Sequence, residues 1–316
     1  MADSIPQIED LIDLRTVLPD FSPPEHITET LALVSQSSNL YHQYTRDYGH
    51  PRLVTALAGL YSQFVGRQID PMTEILTTVG AHEALFVAIH GHVDVGDEVV
   101  IFEPFLPCYK NLVESVGGIA KFVTLNLVQG PKNLGNKCIF DSKKLENCFN
   151  EKTKIVILNN PNEYFGKVFT LEELEFVAFL CQKWNVLCIS DETNEFSVSA
   201  QNGPKIASLP NMWSRTLTIG SAERTFGVTG WKVGWVYGPS NLLFNLLMVH
   251  QNSLYTGNTP LQTQKHIIQT KKQYFAKKLT EIGLKPIIPE GGYYIILDLE
   301  NLGTFPSGRN NFNQML

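Results

Sequence analysis

The sequence predicts an α/β protein built on a mainly parallel sheet flanked by helices, and three observations carry that reading. Short apolar runs alternate with helical patterns through the central two hundred or so residues. The connections between successive runs are long enough for crossovers rather than hairpins. With 316 residues, 43% of them hydrophobic and 18% charged, the chain can bury the core such a sheet needs.

The expected elements follow in order. Before residue 51, Pro19, Pro23 and Pro24 suggest an extended arm. Pro51-Val65 reads as an amphipathic helix. Strands are expected at Ile75-Thr78, Glu98-Phe102, Lys121-Leu125, Ile155-Leu158, Leu187-Ser190, Leu217-Gly220 and Lys232-Tyr237, because each is a short, β-branched or aliphatic run. Helices are expected between them at Ala81-His92, Tyr109-Ser115, Ser142-Asn147 and Leu171-Lys183, with Ser142 and Thr170 as N-caps. Asn241-His250 and Leu261-Ile282 also have helical periodicity, and two further strands are expected at Pro286-Ile288 and Tyr293-Leu297. The polar end of the sequence reads as loop or disorder. The resulting division is an arm over 1–27, a large domain over 28–240, connecting helices and a partial small domain over 241–305, and a tail over 306–316.

Composition narrows the function. A net charge of −6, from 25 basic and 31 acidic residues, gives no electrostatic footprint for nucleic acid or an anionic membrane. No apolar run is long enough to cross a bilayer and the first residues lack a signal-peptide pattern, so a cytoplasmic location is expected. The five cysteines are scattered without CxxC spacing and read as free thiols. His90 and His92 lack a third ligand and, two apart on a helix, point to different faces, so no metal site is expected. There is no internal repeat, P-loop or GxGxxG. Ligands of open α/β sheets bind at the carboxyl ends of the strands, which directs attention to the residues just after them.

Those residues carry a resemblance. The stretch GSAERTFGVTGWKVGW, residues 220–235, is similar to the cofactor-lysine segment of class I aminotransferases, nearest to the kynurenine–oxoglutarate transaminase and cysteine-conjugate β-lyase group. QYTRDYGHPRL (43–53), VGAHEAL (79–85), GDEVVIFEPFLPCY (96–109), LNNPNEYFGKVF (158–169), SDETNEF (190–196) and GLKPIIPEGGYYIILDL (283–299) extend it in the same order along most of the chain. The resemblance implies a fold-type I large domain with a seven-stranded sheet, and an incomplete C-terminal small domain, since the sequence stops before the segment that carries the family's α-carboxylate arginine. It implies pyridoxal phosphate as cofactor, amino acids and 2-oxo acids as substrates if the chain is active, and a dimer, either of two copies or with an active paralogue.

Residue by residue, the resemblance preserves part of the cofactor cradle. Asp191 matches the carboxylate that pairs with the pyridine nitrogen, Ser221 and Lys232 match phosphate ligands, and the backbone amides of Ala81 and His82 are placed to join them at a helix N-terminus. Tyr44 matches a tyrosine that reaches the phosphate of the neighbouring subunit. Other positions depart. Arg224 stands where the family has its Schiff-base lysine, and a guanidinium offers no free amine and stays protonated, so covalent binding there is not expected. Glu163 replaces an asparagine that hydrogen-bonds the cofactor's phenolic oxygen, Asn194 replaces a tyrosine that does the same, and Leu106 replaces a stacking aromatic ring. Arg15 and Val17 fall where glycines let substrate approach. Lys232 is the nearest other amine, but the resemblance already gives it to the phosphate. Three readings follow: a non-catalytic relative that keeps the fold and binds the cofactor noncovalently if at all, an active transaminase or β-lyase that uses another amine, and a truncated product without selected function.

Overall fold

The structure, a computed structural model, describes residues 22–129, 137–197, 204–254, 265–287 and 295–298. Its contacts divide the chain into two compact units, 1–256 and 257–316.

The first unit is organised around an eight-stranded sheet. Its strands are β1 (Ile75–Val79), β2 (Glu98–Glu103), β3 (Ile119–Val128), β4 (Lys137–Phe140), β5 (Thr153–Asn159), β6 (Leu187–Asp191), β7 (Thr216–Ser221) and β8 (Val233–Tyr237). They lie in the order β1-β8-β7-β6-β5-β2-β3-β4. The pairs from β7 through β6, β5 and β2 to β3 are parallel, whereas β8 is antiparallel to both neighbours and β4 is antiparallel to β3. The expected seven strands are all present, with β4 as an eighth. That short strand escapes sequence reading because only Phe140 of its four residues is buried.

Both faces of the sheet are covered, which is why its central strands are continuously apolar. Along β5, Ile155 and Ile157 point into one core and Val156 and Leu158 into another. The first core is filled by helices α3 (Gly80–His90), α4 (Pro107–Ser115) and α8 (Ser240–Ser253), through residues such as Leu85, Ile89, Val113, Leu243 and Leu246. The second is closed by α5 (Ser142–Asn147) and α6 (Leu171–Trp184), through Leu145, Leu174 and Val177. A third cluster seats α2 (Pro51–Val65) by Val54, Leu57 and Tyr61 against Trp235 and Tyr237 of β8.

Two local expectations are corrected. Helix α1 (Glu25–Ser35) begins directly after Pro24, where an extended arm was expected. Pro24 sits at the N-cap with φ −53° and ψ 133°, so the proline pair precedes the helix instead of preventing it. Asp141 caps α5 instead of Ser142, accepting from the amides of Lys143 and Lys144. At α6 the expected cap holds: the Thr170 hydroxyl accepts from the Glu173 amide, and the Glu173 carboxylate accepts from the Thr170 amide, a complete capping box.

The second unit contains α9 (Lys265–Glu281) and an antiparallel pair, β9 (Lys285–Ile287) and β10 (Ile296–Asp298). Arg15, Val17 and the tail lie outside the described residues. Among the described residues no helix is long and apolar enough to cross a membrane and no cluster suited to a metal ion occurs. All five cysteines are free.

Candidate active site

The parallel strands end on one edge of the sheet, and their sequels bring the singled-out residues together. β1 runs into Gly80 and α3; β2 leads to Leu106; β5 to the turn that carries Glu163; β6 ends on Asp191; β7 ends on Ser221, followed by Arg224. Lys232 stands just before β8, whose antiparallel course brings its first residues to the same edge, with Val79 opposite Val233 and Ser221 opposite Gly234.

Asp191 is 1% exposed. Its carboxylate accepts a short hydrogen bond from the Tyr109 hydroxyl and a 3.2 Å bond from the Thr193 amide. Burial pushes this carboxyl above the usual carboxylate range, and the two donors oppose that rise only in part. Tyr109 comes from the first turn of α4 and is itself buried, with its phenol driven far up by burial and by the neighbouring carboxylate.

Of the positions where the sequence departs from the resemblance, Arg224 and Asn194 both meet Glu163. After β5 the Asn159 amide group fixes the turn: its Nδ2 donates to the Asp191 carbonyl at 3.2 Å and its Oδ1 accepts from the Glu163 amide at 2.7 Å. The Asn162 side chain accepts from the amides of Tyr164 and Phe165 and so closes the same turn. Glu163 is thereby aimed inward, with its side chain 17% exposed. One of its oxygens accepts from the Arg224 guanidinium at 2.7 Å, and the other accepts a short hydrogen bond from Asn194 Nδ2. Both oxygens of the carboxylate are therefore engaged, one by Asn194 and the other by Arg224 in an ion pair.

Ser221 is buried, and its hydroxyl accepts from the Glu223 amide at 3.0 Å, capping α7 (Ala222–Phe226). Lys232 adopts a left-handed backbone conformation with φ 54°, and its ammonium lies 3.6 Å from the Glu223 carboxylate. That carboxylate also lies against Gly80, where an added Cβ would come within 2.8 Å of Glu223 Oε1. Ala81 is half-buried and His82 exposed in the first turn of α3. Leu106 is the N-cap residue of α4 and packs against the first core. Tyr44 is 58% exposed in the loop before α2.

Sequence reasoning missed three components. Tyr109 shows itself only through burial, though its spacing of three from Leu106 puts it one helical turn away. Glu223 carried a legible signal, an acidic residue between Ser221 and Arg224. Behind Asp191, Glu192 and Glu195 share the ammonium of Lys205, the Tyr61 hydroxyl donates to Glu195 at 2.6 Å, and Trp235 Nε1 donates to the Tyr61 oxygen at 3.1 Å. Burial alone would pull the Lys205 ammonium down, but the two carboxylates raise it overall.

Comparison with known proteins identifies the family to which the fold belongs. Residues 9–315 match the family model of class I and II aminotransferases. Kynurenine–oxoglutarate transaminase 3 of Mus musculus is 43% identical over 326 residues, an alignment covering 95% of this chain and 71% of that protein. Kynurenine–oxoglutarate transaminase 1 of the same species is 40% identical, with 92% and 75% covered. Among solved structures, N-succinyldiaminopimelate aminotransferase from Mycobacterium tuberculosis superimposes with a TM-score of 0.70 at 28% identity, covering 92% of this chain and 78% of that one. The chain belongs to the class I and II aminotransferase family, close to the kynurenine–oxoglutarate transaminases, and pyridoxal phosphate is the cofactor of that family.

Proposed function

We propose that this chain is a non-catalytic aminotransferase relative whose cofactor pocket is held closed by its own side chains. The observation that carries this reading is the Glu163 carboxylate engaged at once by Arg224 and Asn194. Imine formation needs a neutral amine, and Arg224 has none to give. The phenolic oxygen of the cofactor needs donors, and the groups that stand in their places are an acceptor, Glu163, and an amide already committed to it. Asp191 keeps the strand-end position that the resemblance gives the pyridine partner, but its carboxylate accepts from Tyr109. The residues thus do not fit covalently bound pyridoxal phosphate. Noncovalent retention would rest on Asp191, Ser221 and Lys232.

An amino acid and a 2-oxo acid are the substrates expected if a working amine were supplied. As an assembly we favour a dimer, of two copies or with an active paralogue, because Tyr44 stands exposed where the resemblance calls for a residue that serves a neighbouring site.

Absorbance spectra with added pyridoxal phosphate test the reading. The unmodified protein is expected to show no imine band beyond that of surface lysines. Arg224→Lys is expected to gain little, because Glu163 beside the new ammonium keeps it protonated. Arg224→Lys combined with Glu163→Asn should then develop the band. A strong band in the unmodified protein would overturn the proposal.

A further inference from the structure

Ser221, Lys232 and the first turn of α3 converge on one spot, and a side chain of the same molecule lies in it. We propose that Glu223 is a built-in anion, seated in the subsite that the family's cofactor phosphate would take, so that the subsite rejects phosphate. The inference deepens the reading above and rests on it for the identity of the subsite.

Three observations support it. First, the Glu223 carboxylate is only 17% exposed and lies against the first residue of α3, close enough to obstruct a Cβ on Gly80 at 2.8 Å. A phosphate approaching the start of that helix meets this oxygen first. Second, the start of α3 already carries negative charge: Glu83 in its first turn accepts from the Val79 amide, and Glu223 brings a second carboxylate to Gly80, so an incoming anion would face two. Third, the charges already balance: Lys232 pairs with Glu223 at 3.6 Å, and Arg224, the next cation along the chain, is committed to Glu163. An incoming phosphate would meet a subsite with no unpaired cation from this segment and a carboxylate facing it. To admit phosphate, Glu223 would have to leave both Lys232 and the helix start.

The test is a calorimetric titration of the full chain with inorganic phosphate at constant ionic strength near pH 7.5, on unmodified protein, Glu223→Gln and Glu223→Ala. The Gln variant removes the charge and keeps the shape, so it also guards against misfolding of the Ala variant; circular dichroism verifies both. We expect no saturable binding in the unmodified protein, binding in Glu223→Gln, and an affinity at least tenfold above the unmodified protein in Glu223→Ala. Adding Lys232→Ala to Glu223→Ala should abolish the gain. In the same series pyridoxal phosphate should bind no better than pyridoxal to the unmodified protein, and at least tenfold better to Glu223→Ala. Saturable phosphate binding by the unmodified protein within threefold of Glu223→Ala would overturn the inference, as would variants that fail to gain it. Inorganic phosphate forms no imine, so this outcome is independent of whether the chain makes a Schiff base, and either reading can fail alone.

Discussion

Glu163 has two carboxylate oxygens and two partners, and that pairing governs what single substitutions can do. A lone reversion at position 224 inherits the carboxylate, which is why an aldehyde-reactive amine is expected only when Glu163 is changed with it. The neighbouring group behind Asp191 makes a sharper prediction for stability. Lys205, with its side chain 11% exposed, is the shared cation of Glu192 and Glu195, of which Glu192 is 3% exposed. Lys205→Ala strands two carboxylates in a buried setting and should cost about 3–5 kcal/mol at pH 7. Chemical denaturation would measure it. Because burial already raises Glu192 and Lys205 opposes that rise, removing Lys205 leaves Glu192 easier to protonate in the folded state than in the unfolded one, so part of the loss should return as pH falls toward 5. A loss under about 1 kcal/mol, flat with pH, would mean the network is solvated and not buried.

Among the elements, β8 is the piece that sets the site's dimensions. Gly234 packs on the start of α3 so closely that a Cβ there would lie 2.5 Å from the Gly80 carbonyl carbon and 2.6 Å from the Ala81 nitrogen. Backbone has to move to admit it. Gly234→Ala is therefore expected to cost about 1–3 kcal/mol, with misplacement of Gly80 and Lys232, while Gly230→Ala, with open space around it, should stay within about 0.5 kcal/mol. Equal thermal midpoints for the two variants would contradict this. The same scale shows what the sequence made legible. Strands such as β5 were readable because burial on both faces forces an unbroken apolar run, and Thr170 was readable as a cap because its partner Glu173 is three residues on. β4 and α1 were not: one exposes most of its length, and the other follows prolines that read as extended chain. At the site, Asp191, Ser221 and Arg224 could be named in advance from the resemblance carried by the segments at and after the strand ends. The engagement of Glu163 with Arg224 and Asn194, and the seating of Glu223 at Gly80, depend on side-chain direction across elements far apart in sequence, which no local pattern encodes.

For the molecule as a whole, the buried thiols of Cys181 and Cys188 and the half-buried thiol of Cys108 set an alkaline limit. Burial pushes Cys108 up to about 11 and Cys181 up to about 12, against an ordinary 9.0, and holds Cys188 well above that ordinary value too. The unfolded chain releases these protons from about pH 9, the folded chain only above 11. Their stabilising contribution is complete below pH 9 and is lost progressively from there as pH climbs through 11 to 12, so Tm should drop by more than about 5 °C between pH 8.5 and 11. A Tm constant over that interval would show that the thiols titrate freely. The family membership of the chain and its altered pocket meet in one question, whether any lysine of the folded protein takes the cofactor. Incubation of the full chain with stoichiometric pyridoxal phosphate, borohydride reduction and peptide mapping answers it most directly. The account predicts no pyridoxyl-lysine at a single site, only traces spread over surface lysines; stoichiometric labelling of one lysine, Lys232 or any other, would contradict it.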